Sequence, residues 1–354
     1  MSINLDTAKA PGLTIPQPIL ARADEAPTRR EFIGTLAGGL LTAPLVAEAQ
    51  SQARIAFLCV DSCSTLPNPV SAWDRAFLNG LKQAGYVLGP KLFLDMTGVG
   101  VGYDRLPEAA TRLVHRKADV IVAFGGFAAG TAKRATKTVP IVMVNVADPV
   151  DEGLIASLGR PGGNVTGLAT PFAQLVSKQL EFLKEVHPRL TRAAVLWNPA
   201  IGLHKQRLAH LDAAARSLGV EIYPVEAATA RDLEKALALI ARGRADGLLL
   251  LEHLMGPLGL GEISQFALQR RLPTAASDRR FVSAGGLMSY GPDPTGLYER
   301  AAVYVGKLLK GVKPSELPVE EPTRYELVVN QITAKALGLT IPQSLLLRAD
   351  EVVQ

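Results

Sequence analysis

From Arg54 onward the chain alternates short apolar runs with amphipathic stretches of helical period, and that rhythm restricts it to parallel α/β architecture. Arg54-Ile-Ala-Phe-Leu-Cys-Val60 reads as a buried strand. Ser71-x-x-Asp74 is a capping box, opening a helix that carries Trp73, Phe77, Leu81 and Ala84 on one face. A strand over Lys91–Met96 precedes a helix with Leu106, Ala109, Ala110, Leu113 and Val114 at the spacing of an apolar stripe. Strand Val120–Phe124 then runs into Gly125-Gly126 and a helix to Lys137, and strand Ile141–Val146 ends at Asp148-Pro149.

After Thr170 the same rhythm starts again. Helices over Leu175–Val186, Lys205–Leu218, Arg231–Ala241 and Gly261–Arg271 alternate with strands at Ala193–Trp197, Val220–Val225, Gly247–Leu251 and Pro273–Ala276. Gly285–Gly291 reads as a strand leaving the second unit, followed by a long helix over Leu297–Leu309, an extended Arg324–Asn330 and a terminal helix from Thr333. The Pro- and Gly-bearing stretches Arg160–Thr170 and Gly291–Gly296 are the expected crossings. The expectation is two lobes: residues 54–167 plus about 291–354, and residues 168–290.

Ahead of this core stands an export signal. Thr28-Arg29-Arg30-Glu31-Phe32 is a twin-arginine pattern, followed by an apolar run from Ile33 to Val46 and a small-x-small site at Ala47-Glu48-Ala49. Residues 28–49 therefore read as a signal peptide cleaved after Ala49, which places the mature protein in the periplasm. Residues 1–27 are stranger. Thr7–Glu25 repeats Thr333–Glu351 with fifteen of nineteen positions identical, a single extra copy of a terminal segment and not a solenoid repeat. The expectation is a disordered extension, the tail of a duplicated neighbour joined to this chain's signal.

Composition removes other classes. A net charge of +5 is spread among acidic residues, without the basic stripe of a nucleic-acid binder. The five histidines are spread along the chain, and His204 and His210, six apart, would not share a helix face, so no metal site or other cofactor is expected. Gly98-Val-Gly-Val-Gly102 and Gly125-Gly-x-x-x-Gly130 lack dinucleotide-binding order, and no phosphate-binding loop, HExxH or GxSxG motif occurs, so the chain does not read as an enzyme. Cys59 and Cys63, the two cysteines, are expected as a free pair, because so short a bridge would distort the strand ladder.

Arg160-Pro-Gly-Gly-Asn-Val-Thr-Gly167, Thr136-Lys-Thr-Val-Pro-Ile-Val142, Trp197-Asn-Pro199, Gly285-Gly-Leu-Met-Ser-Tyr-Gly291 and Thr333–Pro342 together resemble the tryptophan/tyrosine-type ABC transporter substrate-binding proteins. The resemblance spans Arg54–Val353 in order and spacing. It implies a type I periplasmic binding protein fold, two Rossmann-like lobes joined by a three-segment hinge, with a small-molecule ligand between them and an ABC permease as partner. A monomer is expected. A ligand sensor for a membrane signalling partner shares fold and cleft, and is the alternative.

In such folds ligands lie beyond the carboxyl ends of the strands. That rule nominates Ser62 and Ser64, then Gly125, Gly126, Phe127 and Ala128, with Asp148, Asn198, Glu252, His253, Asp278 and Tyr290. Gly125-Gly126 at a helix start offers an anion seat, and Phe127 stands where the resembled family has a hydroxyl residue. With aromatic residues at only 5%, a sugar site of stacked rings is not expected. An amino acid or related carboxylate, or an aromatic or amide-bearing metabolite, is.

Overall fold

The computed structural model describes residues 52–354 apart from 61–62, 65, 67, 70, 90, 200–203 and 252–256. The N-terminal extension, the signal peptide with Arg29, Arg30 and the cleavage after Ala49, and the candidates Ser62, Glu252 and His253 lie outside the described residues.

Strands β1 (Ala53–Leu58), β2 (Leu92–Gly98), β3 (Val120–Phe124), β4 (Ile141–Ala147) and β5 (Val165–Thr170) form one parallel sheet in the order β2-β1-β3-β4-β5. Helices α1 (Ala72–Gln83), α2 (Gly102–His115) and α3 (Gly126–Ala135) connect them. Successive side chains of β1 point to opposite faces, so Ile55 and Phe57 enter one buried cluster and Ala56 and Leu58 another. Both faces are covered, which is why Ile55–Leu58 of β1, Val120–Phe124 of β3 and Ile141–Val144 of β4 read as unbroken apolar runs. Ser71 caps α1 as its motif foretold, its hydroxyl accepting from the Asp74 amide at 3.0 Å.

The second sheet repeats the pattern. Strands β6 (Arg192–Trp197), β7 (Glu221–Glu226), β8 (Gly247–Leu250), β9 (Thr274–Ala276) and β10 (Met288–Pro292) lie in the order β7-β6-β8-β9-β10. Helices α4 (Phe172–Val186), α5 (His204–Ser217), α6 (Ala230–Arg242), α7 (Pro257–Gln269) and the single turn α8 (Arg279–Ser283) link them. In each sheet the order reverses between the first and third strands, the switch point where an open α/β sheet leaves a crevice.

Two expectations need correcting here. Arg160–Thr170 is not all crossing, because Val165–Thr170 is strand β5, buried throughout and paired with β4. Its Gly167 reflects close strand approach, since a methyl there would stand 2.2 Å from the Met143 carbonyl oxygen. Nor do residues 291–354 all return to the first lobe. Helix α9 (Pro294–Leu309) does, packing on α1 so closely that a methyl on Gly80 would stand 2.7 Å from Ala302 Cβ. Beyond it, β11 (Tyr325–Asn330) pairs antiparallel with β10, and β12 (Glu351–Val353) pairs with β11, so the tail with α10 (Gln331–Leu337) and α11 (Gln343–Leu346) completes the second lobe. Apolar burial makes the choice: Leu327, Val329, Ile341 and Leu345 fill the second lobe's core.

The chain thus passes between lobes three times, at residues 170–172, 292–294 and 320–325. The third passage is tied to β5 by Glu320 N to Gly167 O at 3.0 Å and Ala169 N to Glu320 O at 2.8 Å. Among the described residues no helix is long and apolar enough to cross a membrane.

Candidate functional site

A cavity of about 220 Å³ lies where the two switch points face each other, lined by both lobes. On the first-lobe side its rings come in two groups. Tyr298 of α9 stands 5.0 Å from Phe124 and 6.0 Å from Trp73, centroid to centroid. Tyr103 meets Phe127 edge-on at 4.9 Å. The Tyr298 hydroxyl donates to the carbonyl of Cys63, and burial, then the Asp74 carboxylate, pushes its pKa up, so it stays a neutral donor.

Cys63 is bonded to Cys59, with Cα atoms 6.3 Å apart, against the expected free pair. The strand ends at Leu58, and the Cys59 amide still donates to Gly98 O of β2 at 3.0 Å, so the bridge begins at the last rung of the ladder. Both cysteines line the cavity.

Between the ring groups, Gly125 caps α3 at φ 80°, ψ 159°, a conformation open to glycine, which has no side chain of its own to cap the helix. At the end of β4 the register shifts between Met143 and Val146, and Asn145 sits at φ 54° with its Oδ1 accepting from Thr170 Oγ1 at 2.6 Å. The bulge turns Asn145 to the cavity. Glu152 and, from α5 of the other lobe, Arg207 close this corner. Arg207 is 5% exposed and donates to Ala147 O at 2.9 Å, Asp148 Oδ2 at 3.3 Å and Glu152 Oε1 at 3.2 Å.

The second lobe adds the apolar Leu250, Leu251 and Leu260, then the run Ser277–Phe281 and Ser289. Asp278 caps α8, accepting from Arg280 N at 2.8 Å and from Arg280 Nε at 2.7 Å. Arg279 donates to Glu326 Oε1 at 2.8 Å and to Glu351. Burial leads the influences on Glu326 and holds its pKa up, with Arg279 working the other way.

Of the residues nominated from sequence, Gly125, Gly126, Phe127 and Asp278 are on the cavity wall. The others described are not. Ser64 donates to Asp74 Oδ1 at 2.5 Å, behind the wall. Ala128 is buried in the first-lobe core, and Asn198 is buried beyond β6. Asp148 is spent on Arg207, outside the lining. Tyr290 packs against Phe182 at 5.1 Å and Tyr325 at 5.6 Å in the second lobe. Sequence reasoning missed Trp73, Tyr298, Asn145, Glu152 and Arg207. Trp73 was visible as a helix-face residue but read as core, and nothing in the sequence marks a bulge at Asn145.

Two wound α/β lobes, three crossings and one shared cavity define a type I periplasmic binding protein. The comparisons agree. A model of the ABC transporter substrate binding protein family matches residues 70–353, and the chain belongs to that family. It is 28% identical over 265 residues to a tyrosine-binding protein of Clostridioides difficile (strain R20291), covering 75% of this chain and 76% of that one. Among solved structures, a conserved domain protein from Vibrio cholerae is 28% identical with a TM-score of 0.74, covering 85% of this chain and 99% of that chain. An ABC domain in complex with L-Trp from Streptococcus pneumonia is 24% identical with a TM-score of 0.75, covering 86% and 100%. The resemblance read from the motifs holds, and so does the fold class.

Proposed function

We propose that the protein is the exported receptor of an ABC importer, capturing an amino acid or related small aromatic metabolite in the inter-lobe cavity and handing it to a permease by hinge closure. The observation that carries this reading is the cavity itself: both lobes wall it, and five rings, those of Trp73, Tyr103, Phe124, Phe127 and Tyr298, line one side. A flat apolar ligand gains most from such a wall. The tyrosine-binding relative and the L-Trp complex point to the same ligand class. Export to the periplasm is supported by Arg29-Arg30, the apolar run and the site at Ala49.

Closure follows from the covalent plan. Three short passages leave the lobe angle soft, and contacts from both lobes coexist with ligand only in the closed state, so ligand shifts the population toward it. The test is a melting screen of the protein against amino acids, aromatic metabolites and sugars. A ligand at 100 times its Kd adds roughly 2.7 kcal/mol of stability. Shifts with aromatic metabolites, together with a smaller radius of gyration when saturated, are expected. A response to sugars alone overturns the ligand class.

A further inference from the structure

Sequence nominates an anion seat at Gly125-Gly126, and in the structure the chain's own Glu152 carboxyl group lies against Gly126. A methyl added to Gly126 would stand 2.3 Å from Glu152 Oε2 and 2.8 Å from Oε1, so the carboxylate lies against the first turn of α3. A helix start attracts negative charge through its open N–H groups and its dipole, and Glu152 supplies that charge from within. The side chain is held there: Arg207 Nη2 donates to Oε1 at 3.2 Å. Arg207 is itself pinned by Ala147, Asp148 and the Phe172 ring, whose centroid is 4.6 Å from its guanidinium carbon. Glu152 still lines the cavity, with 16% of its side chain exposed.

A carboxylate arriving at this corner would meet one already in place. Asp148 and Glu152 both accept from the guanidinium of Arg207, two carboxyl groups to one fork. Lys133 turns elsewhere, donating to the carbonyls of Gly153 and Leu154, and does not line the cavity. Phe127, next along from Gly126, adds a ring on the cavity wall. A protonated nitrogen is the group that fits between a carboxylate and a ring.

We infer that Glu152 sets the selectivity of this cleft: the ligand presents a protonated amine to the start of α3, and a carboxylate there is dispensable. The ligand class is an aromatic primary amine. This inference rests on the reading that the cavity takes a small aromatic metabolite.

The experiment titrates the full chain with two sets of three compounds: L-tyrosine, tyramine and 3-(4-hydroxyphenyl)propanoate, and L-tryptophan, tryptamine and indole-3-propanoate. In at least one set the amine should bind as tightly as the amino acid and about tenfold or more tighter than the acid, the scale of one charge-assisted hydrogen bond. Glu152→Gln, nearly isosteric, should weaken the amine by about tenfold and strengthen the acid. An acid that binds as well as its amine overturns the inference while leaving the functional reading in place. So does a Glu152→Gln chain of native melting behaviour with an unchanged amine-to-acid ratio. Binding of none of the six by folded protein overturns the functional reading and the inference together.

Discussion

Arg207 on the second lobe reaches Glu152 on the first, Nη2 to Oε1 at 3.2 Å, so a buried ion pair joins the two halves beside the cavity. Removing one member of such a pair leaves the other charged and poorly solvated, at a cost of about 3–5 kcal/mol. Arg207→Met should lose roughly that much stability by denaturant titration and should enlarge the radius of gyration without ligand. Arg207→Lys should rescue little, because a point charge cannot serve Ala147, Asp148 and Glu152 from one planar fork. A lobe angle unchanged in Arg207→Met would show that the pair does not restrain the hinge.

Tyr298 joins the aromatic wall to the disulfide loop through its hydroxyl and the Cys63 carbonyl. Tyr298→Phe keeps the ring and strands that carbonyl, so stability should fall by about 1–3 kcal/mol. Tyr298→Leu also removes the wall, and should weaken aromatic ligands well beyond Tyr298→Phe. Equal affinities of the two variants, by calorimetric titration, would place the ligand elsewhere.

The bridge between Cys59 and Cys63 closes a loop of five residues, for which the chain-entropy relation gives about 2 kcal/mol. Reduction, or Cys63→Ser, should lower the melting temperature accordingly and loosen ligand, because both cysteines face the cavity. Two free thiols by titration with an unmoved melt and Kd would contradict this.

Glu320, on the third passage between lobes, is gripped by Arg300 through Nε to Oε2 at 2.6 Å and Nη2 to Oε1 at 2.5 Å. The hydrogen bond from Arg300 comes first among the influences and lowers its pKa. A lowered carboxylate pKa stabilises the fold fully above the unfolded value, about 4.3, and loses that contribution as pH falls through the folded one. Stability measured from neutral pH down to about pH 3 should therefore decline less steeply in Glu320→Gln than in the native chain. Parallel acid limbs would remove Glu320 from the hinge's energetics.

Much of the fold was legible because most of the buried strands carry their own signature. Ile55–Leu58 and Val120–Phe124 are apolar runs of strand length between clear helical periods, and both are strands. Val165–Thr170 escaped because Gly162, Gly163 and Gly167 look like a loop, when Gly167 serves a strand–strand approach that is invisible without the partner strand. The tail escaped for a related reason: β11 could pair with either sheet by pattern, and only the docking of Ile341 and Leu345 decides. At the site, residues that follow a strand directly, such as Gly125 and Gly126, were within reach of a topological rule. Arg207 and Tyr298 were not. Each sits on a helix face, and what it touches depends on another lobe or on an element far along the chain.

The return of α9 to α1 has a consequence in time. Tyr304 and Val305, both buried in the first lobe, leave the ribosome after every strand from β6 to β10 has been made. The second lobe in turn waits for β12, which pairs with β11. Neither half can finish its core before the other is largely made, so a nascent chain of this protein stays incompletely folded until both α9 and β12 have emerged. Loss of β12 would strike the second lobe first, and termination before α9 would leave both halves open.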